Sequence, residues 1–591
     1  RSTQHAARST QHAARSTQRR WLRALGGTLA LSSLWSLAGG CVWSVPVTPP
    51  APIGDESFQS ETALTTARVE VADGIFSDTA VMSFNDFTIE QLPGGPEFFY
   101  FDSNSIVEVR RGASLMGWAR GVPVPGGGVV WTYNGKVHAA GWTIWADPSN
   151  ATDRSTPSTV YLAQMAASDE SFDTHSKGSD VIADLPELGK AINGFCVARS
   201  VNAAISFDVT CHQVLPKPPA TSVFLDKTGI AVDWAGRVWV VTEDRDAPHP
   251  APGAGTGTLR LYRNTTAAWN NFTEVTVPPQ AIAGLGNLEP RLKSDGAGDI
   301  FLQSVFVPPG PLGSAPYELR TIQVAGPSEV FYGDVLNALP GTCAVSQMKQ
   351  GMAHVNIGTG ATTHLIKNAF RHDFAVGSNT NGTDSAYRFA FQYTDGAGND
   401  RIQVAEIDST FAACEQNPFL STESLISLAP NPGRQFQPAL DFNLRAEPPG
   451  PFGWTFAHLS TAFVTDPTDK YVAPWGVTIS DRTVGTQSLP AFAFYWPLAP
   501  LVNGSINWYA CPESNGYWGD YFGITQLHNP FIIDPFGGGA VGAWQNVAGF
   551  TDSRPASGRA GGPVPCYWET PVLGQPQSVS GSAWVSADLV Q

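Results

Sequence analysis

Charge is scarce in this sequence: only 15% of its 591 residues are Asp, Glu, Lys or Arg, and acidic residues (51) outnumber basic ones (35). At a formal net charge of -16, the chain lacks the positive surface that phosphate contacts require, which excludes nucleic acid as a partner. Several catalytic signatures are also missing. There is no Gly-x-Ser-x-Gly, no His-Glu-x-x-His and no Gly-x-x-x-x-Gly-Lys-Ser/Thr, so no triad signal, zinc-peptidase motif or phosphate-binding loop can be read from the chain. No Cys-x-x-Cys occurs, and no His stands at ligand spacing from a Cys pair, which argues against a structural zinc. A long amphipathic helical period is absent as well. What the chain has instead is glycine (59), proline (46) and aromatic residues at 11%, including 18 Trp. That mixture suits many short strands joined by tight turns, with ample material for a core.

The N-terminus divides into three pieces. Residues 1–18 repeat the heptad Arg-Ser-Thr-Gln-His-Ala-Ala twice and then restart it. The unit has no apolar period to bury, so it reads as a disordered extension outside the fold. Residues 19–40 have the order of an export signal: Arg19, Arg20 and Arg23 form a basic n-region, and Trp21 to Leu37 is largely apolar and carries no acidic residue. The stretch Leu37-Ala38-Gly39-Gly40-Cys41 resembles a bacterial lipobox, in which small residues precede a Cys that takes lipid and becomes the mature N-terminus. Leu37 stands four residues before Cys41, where the usual form has three. The Arg19-Arg20 pair also hints at twin-arginine export. Residues 41–66 then read as a Pro-rich tether, and residues 67–591 as one domain. The expected location is the bacterial cell envelope, as an outer-membrane or cell-surface lipoprotein, or the periplasm, with the lipid as the only membrane contact.

Cysteine usage agrees with export. With Cys41 set aside, six cysteines remain, an even number suited to an oxidising compartment. Neighbour pairing gives Cys196–Cys211, Cys343–Cys414 and Cys511–Cys566, one of the 15 pairings that six Cys allow.

Beyond the tether, a strand-turn-strand unit recurs. Its clearest copy runs from Asp226 to Val241, where two apolar β-branched runs flank Asp233-Trp234-Ala235-Gly236. A second runs from Glu289 to Leu302 around Asp295-Gly296-Ala297-Gly298. The glycine supplies the positive φ of the turn. Weaker copies start near Asp78, Asp147, Asp373, Gln437 and Gly519-Asp520. Seven units with room for four strands each predict an all-β fold, a β-propeller of seven blades, with six as the alternative if the last unit only completes the first.

Several residue runs resemble the sialidase-like, Asp-box (BNR-repeat) propellers. Gly112–Trp118, followed by Gly126–Trp131, is similar to a degenerate Asp box without its Asp, and Ser200–Phe207 is similar to a second. Tyr517–Ile524, with Ala543-Trp544 and Thr551–Arg554, resembles the last blade of such proteins. The resemblance covers about residues 67 to 555 and implies a propeller fold. It does not carry sialidase activity with it: that chemistry uses an Arg triad whose first member sits in Arg-Ile-Pro, and no Arg-Ile-Pro occurs here.

Candidate site residues come from the acidic unit starts. Asp147, Asp226, Glu289, Asp373 and Asp520 stand where inner strands begin and would converge on an axial funnel. There they could bind a ligand, hold Ca²⁺ through oxygen ligands, or act as acid and base; no cofactor is required. The bland reading is that each carboxylate ties down a turn. Trp518 and Tyr521 flank Asp520 and offer flat rings for a sugar face. The expected function is a glycan- or protein-binding surface module. The alternatives are a polysaccharide hydrolase or lyase and a structural part of an envelope complex.

Overall fold

A computed structural model describes residues 59–325 with short breaks, strand 43–46, and beyond 325 the strand segments given below with the short strands 355–357 and 364–366. Among these residues the chain forms seven antiparallel sheets of three to five strands, in sequence order. The first comprises Gln59–Ala72, Ile75–Asp86, Met116–Pro123 and Val129–Lys136. The second comprises Ser149–Thr152, Val160–Ser168, Gly194–Ser200 and Asp208–Gln213, with Trp142–Ile144 paired alongside. The third comprises Leu225–Val232, Val238–Pro248, Thr256–Thr265 and Ala268–Val275, and the fourth Asn287–Ser294, Ile300–Phe306 and Glu318–Ala325. The fifth runs from His372–Ser378 to Cys414–Glu415, and the sixth from Gln435–Phe442 to Gln487–Pro497. The seventh comprises Gly523–Asn529, Ala543–Asp552 and Ser582–Leu589, completed by Trp43–Pro46 from the other end of the chain.

The first strands of these sheets touch one another in cyclic order, and that of the seventh touches that of the first. They are inner strands around an axis, and the fold is a β-propeller. The reason lies in burial. A sheet with two apolar faces cannot shield both alone, so each packs on its neighbours. One apolar cluster joins the first and second sheets through Val81, Met116, Ile144 and Leu162. The next joins the second and third through Phe195, Val197, Val238 and Tyr262. Another joins the third and fourth through Trp239, Leu261, Ile300 and Leu302. Ala80, Met82 and Phe84 meet Leu527 and Val547 of the seventh sheet, which closes the circle.

The expected unit starts coincide with six of the inner strands. The first differs. Asp78 lies in the second strand of its sheet, and the inner strand is Gln59–Ala72. Its sequence, QSETALTTARVEVA, is too polar to stand out as a strand, and its start falls in the segment read as a tether. Trp43–Pro46 of that segment is paired backbone too.

The recurring Asp turns are structural. Asp233 Oδ1 accepts the backbone N–H groups of Ala235 and Arg237, each at 2.9 Å, and its Oδ2 accepts Arg237 Nε at 2.7 Å and Trp239 Nε1 at 2.9 Å. Asp295 repeats the motif, accepting Asp299 N–H at 2.8 Å. Cys196 and Cys211 face each other across adjacent strands and are disulfide-bonded. The pairings proposed for Cys343, Cys414, Cys511 and Cys566 lie outside the described side chains.

Candidate functional site at the channel mouth

An axial cavity of about 370 Å³ runs between the inner strands and is lined by Thr66, Arg68, Asn150, Thr152, Lys293 and Gln526, among others. The titratable cluster lies elsewhere, at the starts of these strands, and the backbone places it there. In four inner strands the ladder register slips near the start: between Ser60 and Thr62, Asp226 and Thr228, Leu288 and Arg291, and Phe436 and Ala439. Each slip is a β-bulge holding one residue in the left-handed region: Glu61 (φ 50°), Lys227 (55°), Glu289 (55°) and Gln437 (53°). Asp147 (62°) takes the same conformation just before the inner strand of the second sheet. None of the five is glycine, the residue such bulges ordinarily use, and all five are buried. A non-glycine residue in this region costs on the order of 1–3 kcal/mol and persists only where its surroundings over-determine it.

These residues are wired to one another across sheets. Asn85 Nδ2 donates to Glu61 Oε2 at 2.9 Å, and Asn85 Oδ1 accepts the Asp147 N–H at 3.2 Å. Lys227 Nζ donates to Asp147 Oδ1 at 3.1 Å, and Thr228 Oγ1 donates to the Asp147 carbonyl. Arg291 lies 3.7 Å from Glu289.

The third sheet supplies the centre of the cluster. Asp226 and Glu243 are direct partners across its first two strands, so their side chains share one face. Arg245, two residues beyond Glu243, is on that face as well. Its guanidinium contacts Asp226 Oδ2, and its Nε lies 3.7 Å from Glu243 Oε1. Asp226 Oδ1 accepts the Lys227 N–H at 3.1 Å. Glu243 Oε2 is buried and accepts no hydrogen bond from the described residues. Asp244 points to the opposite face, where it accepts Arg260 Nη1 at 2.8 Å in a separate network. Within the central group, Glu243 is closed off at 4% exposure, whereas Asp226 (18%) and Arg245 (45%) reach solvent.

Burial pushes the Glu243 carboxyl up to about 8, against the opposing pull of Arg245. Burial raises Asp226 too, opposed by Lys227 and Arg245. Burial disfavours the Arg245 charge, yet Asp226, Glu243, Glu289 and Asp147 together hold its pKa above the ordinary value. The same interactions place Asp147, Asp226 and Glu289 in one electrostatic neighbourhood, as the strand starts suggest. Asp373 has a different setting: it accepts the Leu440 N–H at 2.8 Å and lies 3.6 Å from Lys293, tying three inner strands together. Trp518, Asp520 and Tyr521 lie outside the described residues. Among the described residues no group of three or more His, Cys, Asp and Glu side chains is placed to hold a metal ion.

Glu61, Lys227, Gln437, Glu243 and Arg245 were not among the sequence candidates. For the last two a signal existed. Thr242-Glu243-Asp244-Arg245-Asp246 is a dense charge run directly after the apolar run Val238–Val241 and within the same strand, in a chain where charge is rare.

No protein-family model matches the chain, and no curated protein matches it. Solved structures do overlap with it. An α-L-arabinanase of Penicillium chrysogenum, complexed with arabinobiose, is 9% identical, with 93% of this chain and 98% of that chain covered at a TM-score of 0.33. An α-L-arabinofuranosidase of Fusarium graminearum is 11% identical, with coverages of 71% and 92% and a TM-score of 0.34. The hemagglutinin-neuraminidase ectodomain of parainfluenza virus 5 is 9% identical, with coverages of 78% and 86% and a TM-score of 0.33. Likenesses this loose carry no residue role and no activity over to this chain.

Proposed function

We propose that this chain is an exported, lipid-anchored propeller of the sialidase-like kind that binds a glycan at the mouth of its axial channel. The observation that carries the reading is the set of five left-handed, buried polar residues, one at the start of each of five inner strands. A turn could be built more cheaply with glycine. Strain repeated at equivalent positions around an axis is the mark of a ligand site more than of a scaffold. The chemistry fits a polyol: the Asp226 carboxylate accepts hydroxyl protons and the Arg245 guanidinium donates, with the buried Asp147, Lys227 and Glu289 behind them fixing the charge of the site. Asp226 and Arg245 are the solvent-facing entry to that group.

The test is a polysaccharide array followed by calorimetry on the mature chain. A polysaccharide should bind, and Arg245→Ala should weaken that binding at least about tenfold, the equivalent of about 1.4 kcal/mol. Arg111→Ala serves as the control, because Arg111 belongs to a separate, exposed ion pair with Asp173; it should bind like the wild type. Absence of any binding, or equal affinity in Arg245→Ala, refutes the reading.

A further inference from the structure

We propose that the face opposite the channel mouth rests on a bilayer of zwitterionic lipid, so that the mouth points away from the membrane. The inference takes the lipid anchor from the preceding reading and adds a second membrane contact and an orientation. It starts from apolar side chains left in water. Among the described residues nine large hydrophobic side chains are exposed. Eight of them stand at the end of the sheets away from the mouth, and Leu215 stands at the mouth end. Topology explains the placement. The inner strands start at the mouth, so the hairpin after each of them turns at the far end, as does the hairpin between the third and fourth strands. Val71, Ile75 and Phe76 flank the first of these hairpins in the first sheet, and the cross-strand partners Val122 and Val130 flank the second. Val201 and Ile205 lie in the second hairpin of the second sheet, and Trp234 lies in the first hairpin of the third. Backbone bonds tie these ends together. The Arg68 N–H donates to the Pro157 carbonyl at 2.8 Å, the Ala203 N–H to the Ser158 carbonyl at 2.9 Å, and the Trp234 N–H to the Gly298 carbonyl at 3.2 Å.

Three observations select a bilayer as the occupant. The first is shape and polarity. Apolar tips spread over four hairpins in three sheets suit a broad, deformable surface better than the groove that takes one helix or strand. Residues 200–207 carry no charge, and the Asp153, Asp233 and Arg237 side chains of neighbouring turns are buried. Trp234, at a tip, is a residue type that favours the membrane–water interface. The second is where the chain enters. Trp43–Pro46 pairs antiparallel with Ser582–Leu589, Trp43 opposite Ala587. The inner strand of the seventh sheet also starts at the mouth end, so Trp43 is the end of its strand nearer the far face. Cys41 precedes Trp43 by two residues and stands within roughly 7 Å of it. A lipid on Cys41 therefore enters the bilayer on the side of the apolar tips. The third is charge. Glu70 and Asp73 are exposed on this face, and the chain carries a formal net charge of -16. An anionic surface repels such a molecule, which leaves zwitterionic lipid. An inner strand such as Leu225–Val232, with 8 residues, then holds the mouth roughly 25 Å above the surface, open to a glycan.

The experiment uses the mature chain with Cys41→Ser, which cannot take lipid there, and vesicles of phosphatidylcholine and phosphatidylethanolamine. In flotation the protein should rise with the vesicles. Phe76→Asp, Ile205→Asp and Trp234→Asp together should lower the bound fraction at least about tenfold, since three apolar contacts are lost. All three positions are exposed, and the melting temperature of the variant checks that its core is intact. Leu215→Asp, at the mouth end, should float like the parent chain. Vesicles of phosphatidylglycerol should hold less protein at low salt. Fatty-acid labelling of the chain with Cys41 intact reads the anchor separately. Labelling without flotation of the Cys41→Ser chain overturns this inference and leaves the anchor. Flotation without labelling supports the membrane-facing surface and removes the anchor. Equal flotation of the triple variant, or a loss in Leu215→Asp as large as in the triple variant, overturns the assignment of this face. So does a dimer that the triple variant dissociates in sedimentation while the parent chain ignores vesicles, which would make the face a contact between copies.

Discussion

At the scale of single residues, Glu243 shows how a β-sheet makes a titration site. Alternation along its strand sends Asp244 into an ion pair with Arg260 and leaves Glu243 on the other face, beside Asp226. A carboxyl whose folded pKa is about 8, above its ordinary 4.5, binds a proton more tightly in the folded chain than in the unfolded one. Its contribution to stability is therefore whole below about pH 4.5 and declines as pH rises through 8. Asp226, also raised, contributes with the same sign. The expected outcome is a denaturation free energy that falls between pH 5 and 8, with a slope of at most about 1.4 kcal/mol per pH unit for one proton. Glu243→Gln should flatten this slope. Denaturant titrations at several pH values measure it, and an unchanged slope in the variant would show that Glu243 is ionised throughout. Little of this was legible beforehand. Asp226 stands out at a unit start, but Glu243 acquires its environment only from its cross-strand partner, and no local pattern names that partner. The same holds for Glu61, Lys227 and Gln437, whose left-handed backbone appears only once the bulges form.

Individual elements were far more legible, because their causes are local. Asp-x-Ala-Gly marks a hairpin turn wherever Asp can accept neighbouring N–H groups and Gly can take positive φ, as Gly236 (φ 72°) and Gly298 (φ 86°) do. Removing the Asp233 carboxylate leaves four donors without their acceptor, among them the buried Trp239 indole and the Arg237 guanidinium. Asp233→Ala should cost roughly 3 kcal/mol, from losing hydrogen bonds to a charged group at about 1.5–3 kcal/mol each with partial replacement by water. Chemical denaturation measures this; a loss under 1 kcal/mol would mean the turn is held by its neighbours instead. The Cys196–Cys211 bridge was legible for a similar reason, its 15-residue separation spanning one hairpin. The first inner strand was not, since Gln59–Ala72 opens on the polar run Gln59-Ser60-Glu61-Thr62, which carries no apolar alternation.

At the scale of the whole molecule, the question is whether the sheets stack in a row or close in a ring. In an open stack a defect in the last sheet stays local, because each unit touches only its sequence neighbours. Here the seventh sheet packs against the first. The Gly523 N–H donates to Thr62 Oγ1 at 3.0 Å, the His528 N–H donates to Asp78 Oδ2 at 2.9 Å, and Leu527 and Val547 meet Ala80 and Met82. The seam leaves no room to spare. A Cβ at Gly523 would stand 2.6 Å from the backbone nitrogen of Leu64 and 2.9 Å from the Ala63 carbonyl carbon. These are backbone atoms of an inner strand and cannot swing aside, so Gly523→Ala has to push the two sheets apart. Overpacking of this kind costs typically about 1–3 kcal/mol. In a closed ring the cost falls on residues hundreds of positions away. Gly523→Ala should therefore lower the main melting transition and speed amide exchange in Gln59–Asp86 as well as in Gly523–Asn529. Exchange that quickens in the seventh sheet alone, with the first sheet protected as in the wild type, would show that the seam carries little of the stability and that the ring is closed elsewhere, through the pairing of Trp43–Pro46 with Ser582–Leu589. Deleting residues 43–46 separates these two closures, because it leaves the Gly523 seam intact and exposes only the outer edge of the seventh sheet.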